Sequence, residues 1–136
     1  MFLNFLNSEE KTAFLKLAIS VIQADGKLEE SEKSYISDYS REMGITEVDL
    51  NEKIEPLQFA ETIGVNSTDF VKRIFLLELL ACAKADGDFA DAEKALINSF
   101  VKAFKLTDFS LEKCLSLLDE YMEISTKLMS FVKEGE

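Results

Sequence analysis

The chain has 136 residues and a formal net charge of −11 at pH 7, and 47% of its residues are hydrophobic. This length suits one domain, and the apolar content is too high for a disordered chain. Five glycines and one proline argue against a turn-rich β protein. Because the negative charge repels phosphate groups and anionic lipid, we expect neither nucleic-acid binding nor membrane insertion. The acidity either keeps the protein soluble or attracts cations and basic proteins.

Apolar residues recur at helical spacing from the start of the chain. Asn7 and Glu10 have the spacing of a capping box, which predicts a helix over about 8–24. A second helix is predicted over about 29–43, ended by Gly44. The residues expected to face the core in these two helices are Phe14, Ala18, Val21, Ile22, Tyr35, Ile36, Tyr39 and Met43.

The middle of the chain predicts shorter elements. Two short helices are expected over 48–55 and 57–63, with Pro56 ending the first and Gly64 the second. Three further helices are expected over about 68–85, 90–105 and 110–133, the last capped by Ser110.

The last predicted helix carries two adjoining apolar stripes, which together are wider than the apolar arc of an ordinary surface helix. One stripe consists of Leu111, Leu115, Leu118, Met122, Met129 and Val132, and the other of Cys114, Leu117, Tyr121, Ile124, Leu128 and Phe131. Either both stripes are buried inside the domain, or one of them contacts a partner or forms a homodimer.

The two cysteines, Cys82 and Cys114, lie in apolar stretches without CxxC spacing. We expect free, buried thiols in a reducing compartment, although the sequence does not exclude a disulfide. The chain shows neither an apolar segment of about 20 residues nor a signal-peptide pattern, so the expected location is cytoplasmic.

The chain contains an internal repeat, because residues 15–46 align without gaps on 76–107. Ala-Asp-Gly occurs in both copies, and a glutamate follows each aspartate by seven residues. The prediction is a single all-α domain over 1–136, a compact bundle of six to seven helices with an internal pseudo-twofold repeat. Its repeat units are about 8–46 and 67–107, followed by a C-terminal helix over about 110–133.

The repeated carboxylates have two interpretations. Each Asp-Gly…Glu segment resembles the second half of an EF-hand loop. The positions that would supply the first ligands are Val21, Gln23, Cys82 and Lys84, so these segments are not EF-hands. Divalent Ca²⁺, Mg²⁺ or Mn²⁺ can still bind weakly, with carbonyls and water completing the shell. The candidate metal ligands are Asp25, Glu32, Asp86 and Glu93.

The structural alternative assigns the same segments to helix ends. Gly26 and Gly87 would end one helix in a left-handed conformation, and Asp25 and Asp86 would accept hydrogen bonds from the next helix. The two glutamates would then lie in the first turn of that helix, where negative charge is favourable.

The doubled Ala-Asp-Gly-x-apolar-x-x-x-Glu motif on an all-helical chain resembles the tellurite-resistance TerB-like family, over about residues 8–106. The resemblance implies a bundle of about seven helices and a bacterial stress-linked or signalling module. It also implies an acidic face that holds divalent metal at the four carboxylates named above. The acidic residues between them differ in the two copies, and the C-terminal helix has no matching motif. Tellurite resistance itself is therefore not implied.

The chain has no histidine and no glycine-rich phosphate loop, which excludes Ser-His and Cys-His nucleophilic sites. Glu78 stands in an apolar stretch and is expected to face solvent, since unpaired acids are rarely buried. Our hypothesis is a non-enzymatic cytoplasmic TerB-like module that binds a divalent metal and acts through a protein partner. The alternative is a purely structural interaction or dimerisation domain without a metal site. A carboxylate-based hydrolase is a third hypothesis.

Overall fold

The computed structural model describes residues 2–23, 30–44, 55–84 and 91–135. Within these ranges the regular secondary structure is entirely helical, as predicted. A 3₁₀ helix, Leu3–Phe5, precedes six α-helices: α1 Ser8–Ile22, α2 Glu30–Glu42, α3 Pro56–Asn66, α4 Asp69–Lys84, α5 Asp91–Ala103 and α6 Leu111–Glu134. None of the helices in these ranges combines the length and the apolar composition that a membrane span requires.

Two predicted helix starts are confirmed. The Asn7 side chain accepts a hydrogen bond from the Glu10 backbone N–H at 2.9 Å, and the Glu10 carboxylate accepts one from the Asn7 N–H at 2.8 Å. The Ser110 hydroxyl accepts from the Lys113 N–H at 3.1 Å and caps α6. Such caps each stabilise a helix by about 1 kcal/mol, because they satisfy N–H groups that have no partner within the helix.

The glycine after α2 is also confirmed as a helix end, since Gly44 has a φ of +73°. Glu55 is extended and caps α3, and its carboxylate accepts from the Gln58 N–H at 2.6 Å. Pro56 therefore opens a helix, where its missing N–H has no consequence. The helix predicted over 48–55 does not include Glu55, and its other residues lie outside the described ranges.

The prediction that Gly64 ends a helix is wrong. The helix α3 continues through Gly64 to Asn66. A Cβ at this position would stand 2.5 Å from the backbone oxygen of Ala103 on α5. The glycine is thus explained by the close approach of two helices.

The core forms where α1, α4 and α5 contact one another, with α2 and α3 packed at the sides. Phe75 on α4 lies between Phe14 and Phe104, with ring centroids 6.2 and 6.4 Å away. Of the residues predicted to face the core, Phe14, Ala18, Val21, Ile36 and Met43 are buried and Tyr39 is partly buried. The side chains of Ile22 and Tyr35 lie outside the description.

Candidate functional site

The structure describes only part of the predicted metal site. Asp25 and Asp86 lie outside the described ranges. Glu32 belongs to the first turn of α2, but its side chain is not described. Glu93 lies in the first turn of α5, where negative charge is favourable, and is 6% exposed. Of the four predicted ligands, the structure thus describes the side chain of Glu93.

The described residues offer no second metal site. Among them, no three histidine, cysteine, aspartate or glutamate side chains are placed to share a metal ion. In the same part of the chain, every buried side-chain nitrogen and oxygen has a hydrogen-bond partner. The interior of these ranges consequently presents no unpaired side-chain nitrogen or oxygen to a ligand.

Glu78 differs from the sequence-based expectation. It is 1% exposed instead of facing solvent, and one carboxylate oxygen accepts from the Phe2 backbone N–H at 2.8 Å. The amino-terminal segment thus folds back onto α4 and covers this acid. The hydrogen bond offsets part of the desolvation of the carboxylate and so stabilises its burial.

A groove of about 620 Å³ lies between the amino-terminal end of α1 and α3. Two of the polar side chains that line it, Glu10 and Lys16, are engaged within the fold. Glu10 belongs to the capping box, and the Lys16 ammonium lies 5.7 Å from the centre of the Phe59 ring.

The start of α6 is fixed to α4. Cys114 and Leu118 are buried, and Leu111 and Leu115 pack against the core. The Lys84 ammonium at the end of α4 pairs with the Asp119 carboxylate. Arg73 of α4 binds Asp108, just before α6, through both carboxylate oxygens.

Both cysteines are free and buried, as predicted. Burial raises the pKa of the Cys114 thiol, and the nearby Lys84 charge lowers it by a smaller amount. A raised pKa keeps the thiol protonated near neutral pH, where a protonated thiol is a poor nucleophile. Cys114 is therefore a packing residue at the α4–α6 contact.

Beyond Asp119 the environment of α6 changes abruptly. Its residues from Asp119 to Met129 are all exposed, and so are those from Phe131 to Glu134. Eight large apolar side chains, each 46–77% exposed, form what we call the α6 apolar face. They are Leu117, Tyr121, Met122, Ile124, Leu128, Met129, Phe131 and Val132.

Of the two alternatives, burial of both stripes inside the domain is therefore wrong for Leu117 and for the stripe residues beyond Leu118. Sequence periodicity identified every residue of the face but did not reveal what covers it. Monomeric proteins rarely expose contiguous apolar patches of this kind, and such patches mark interaction sites. The α6 apolar face is thus the strongest candidate functional site in the described residues.

The comparisons with known proteins supply no relative. The chain matches no family model, no curated protein and no solved structure. The resemblance to the TerB-like family consequently rests on the duplicated motif alone and stays a prediction.

Proposed function

We propose that this protein is a non-enzymatic helical interaction module whose working surface is the α6 apolar face. One observation carries the proposal: after Asp119, α6 leaves its own domain and exposes its apolar face. The cost of exposing this apolar surface to water is recovered when a partner covers it. The first turns of α6 hold the face in place through their packing on α4.

The charge of α6 favours a protein partner over a lipid surface. Four acidic and two basic residues lie between positions 119 and 134. Amphipathic helices that lie on membranes are rich in lysine and arginine on their polar face. An anionic membrane would repel both this helix and the chain as a whole, whose net charge is −11.

Metal binding at Asp25, Glu32, Asp86 and Glu93, the pseudo-twofold repeat and a stress-linked TerB-like role stay predictions from the sequence. A cytoplasmic location is proposed on the same basis, supported by the free thiols of Cys82 and Cys114.

The test is photo-crosslinking in the cells that produce the protein. A photoreactive residue replaces Leu128 on the face, and the matched control places it at Thr126, which is also exposed. The proposal predicts protein adducts through position 128, identified by mass spectrometry, and few through position 126. Equal adducts at both positions, or none at either, would refute an interaction through this face.

A further inference from the structure

The central residues of the α6 apolar face follow the spacing of a coiled-coil seam. Leu117, Tyr121, Ile124, Leu128 and Phe131 are separated by four, three, four and three residues. Each is between 51% and 62% exposed. We call these five residues the α6 seam. An alternation of four and three keeps a row of side chains facing one neighbouring helix.

The α6 seam matches itself when it is read in the reverse direction. The spacing from Leu117 to Leu128 is four, three and four residues, which is the same from either end. In an antiparallel pair, Leu117 would face Leu128 of a second copy, and Tyr121 would face Ile124. The twofold axis would pass between positions 122 and 123. The interface would then be isologous, as in most homodimers.

The charges beside the seam select the same register. Lys113, Glu120, Lys127 and Glu134 are exposed and follow one another at intervals of seven residues along one edge of the seam. In the antiparallel register above, this edge faces the same edge of the second copy. Lys113 then meets Glu134, and Glu120 meets Lys127, so every pair has opposite charges.

Other registers lose this complementarity. A shift by seven residues in either direction places lysine opposite lysine and glutamate opposite glutamate along the same edge. A parallel pair would place Lys127 beside Val132 instead of a carboxylate. It would also bring two acidic domain bodies to the same end of the coil, since the whole chain has a net charge of −11, whereas the antiparallel pair places them at opposite ends.

Two features of one chain affect this pairing. Lys127 already lies 3.3 Å from the Glu123 carboxylate on the same helix, but both side chains are about 70% exposed. An ammonium group has three donors and can serve a second carboxylate. In this register Phe131 of the second copy stands opposite Cys114, which precedes Leu117 by three residues. Because Cys114 is buried in its own domain, Phe131 of the second copy would lie beside the domain body.

We infer that the occupant of the α6 apolar face is a second copy of this chain, paired antiparallel along the α6 seam. This inference rests on the proposed function and names its partner. Five half-exposed side chains per copy would bury on the order of 1,000 Å² in total, which is near the lower limit of specific interfaces. We therefore expect a weak, reversible dimer.

The experiment is sedimentation equilibrium of the full chain over a concentration series. The wild type should dimerise, and Glu120→Lys should raise the Kd about tenfold, because it places lysine opposite Lys127 twice in each dimer. Lys127→Glu should do the same by placing two glutamates opposite each other. The double variant Glu120→Lys/Lys127→Glu exchanges the charges and should restore the wild-type Kd.

The matched control is Lys133→Glu, which changes the net charge by the same amount as Lys127→Glu at an exposed position outside the seam and its charged edge. It should leave the Kd unchanged, and circular dichroism should show that all variants keep their helices. Failure of the double variant to restore dimerisation would overturn the antiparallel register. A wild type that stays monomeric to high concentration would overturn self-association. If that monomer still crosslinks to another protein through Leu128, the proposed function stands without the dimer.

Discussion

The Lys84 ammonium and the Asp119 carboxylate form an ion pair at the point where α6 leaves the domain. The Lys84 side chain is 18% exposed and that of Asp119 is 67% exposed. Before this pair, four residues of α6 pack against the core, namely Leu111, Cys114, Leu115 and Leu118. Every residue from Asp119 to Met129 is exposed. The ion pair therefore marks the boundary between the anchored and the protruding part of the helix.

We expect Asp119→Ala to loosen the start of α6. The partly exposed pair contributes at most about 1 kcal/mol, because water screens it. Its loss leaves the mostly buried Lys84 without this carboxylate. The first turns of α6 should therefore separate from the domain more often. Alkylation of Cys114, followed by peptide mass spectrometry, should be several-fold faster than in the wild type. Unchanged labelling would show that apolar packing alone fixes this end of α6.

The pH dependence of this labelling follows from the raised pKa of Cys114. Only the thiolate reacts, so the rate should keep rising above the pH at which an ordinary exposed cysteine reaches its plateau. Burial favours the neutral thiol in the folded state. The contribution of this thiol to the free energy of unfolding is therefore fully present at neutral pH. It falls at alkaline pH, where the thiol ionises in the unfolded chain before it ionises in the folded one. A plateau at the ordinary pH would contradict the burial of Cys114.

We expect Gly64→Ala to destabilise the domain by about 1–2 kcal/mol. A Cβ at Gly64 would stand 2.5 Å from the Ala103 oxygen, so α3 and α5 must move apart. This overpacking outweighs the gain of up to about 1 kcal/mol in helix propensity. Urea denaturation measures the change, with Val65→Ala on the same helix as control, because Val65 is 74% exposed. A stabilised Gly64→Ala variant would show that the two helices are not in close contact.

Glu78→Ala should destabilise the domain by about 2–3 kcal/mol, because it leaves a cavity and removes the acceptor of the Phe2 N–H. Glu78→Gln keeps an oxygen for that N–H and should cost less. Limited proteolysis should cut the Phe2–Leu6 segment faster in the alanine variant than in the glutamine variant. Equal protection in both variants would show that this hydrogen bond does not hold the segment.

Local chemistry explains which parts of the fold were predictable. The capping pair Asn7 and Glu10, the left-handed Gly44 and the Ser110 cap all act within a few residues, so the sequence alone predicts them. The prediction that Gly64 ends a helix is wrong, because the contact that requires glycine there is with Ala103, 39 positions away. The prediction that Glu78 faces solvent is wrong for a similar reason, since the Phe2 N–H that it binds is 76 positions away.

The candidate site shows a similar division. Helical periodicity predicted both stripes of α6, but a pattern of apolar residues does not specify which neighbour covers them. The structure shows that α4 covers only the first turns. For the Ala-Asp-Gly motif the sequence left two interpretations, and Asp25 and Asp86 lie outside the described ranges.

The metal hypothesis predicts that Ca²⁺, Mg²⁺ or Mn²⁺ raises the Tm of metal-stripped protein in a saturable manner. A ligand at 100 times its Kd adds about 2.7 kcal/mol of stability, which corresponds to several degrees for a domain of this size. The double variant Asp25→Asn/Asp86→Asn should lose the response. A flat response of the wild type up to millimolar ion would favour the structural interpretation of these turns.

Hydrogen exchange with mass spectrometry tests most directly whether the apolar face of α6 beyond Asp119 is uncovered in the monomer and becomes covered when a partner binds. Peptides over 119–134 should exchange rapidly in dilute protein, because an isolated helix of this length is marginal in water. The same peptides should become protected as concentration rises, and Leu128→Glu should abolish that protection without changing exchange in α4. If these peptides exchange as slowly as α4 in dilute monomer, the face is already covered within the chain, and the account is wrong.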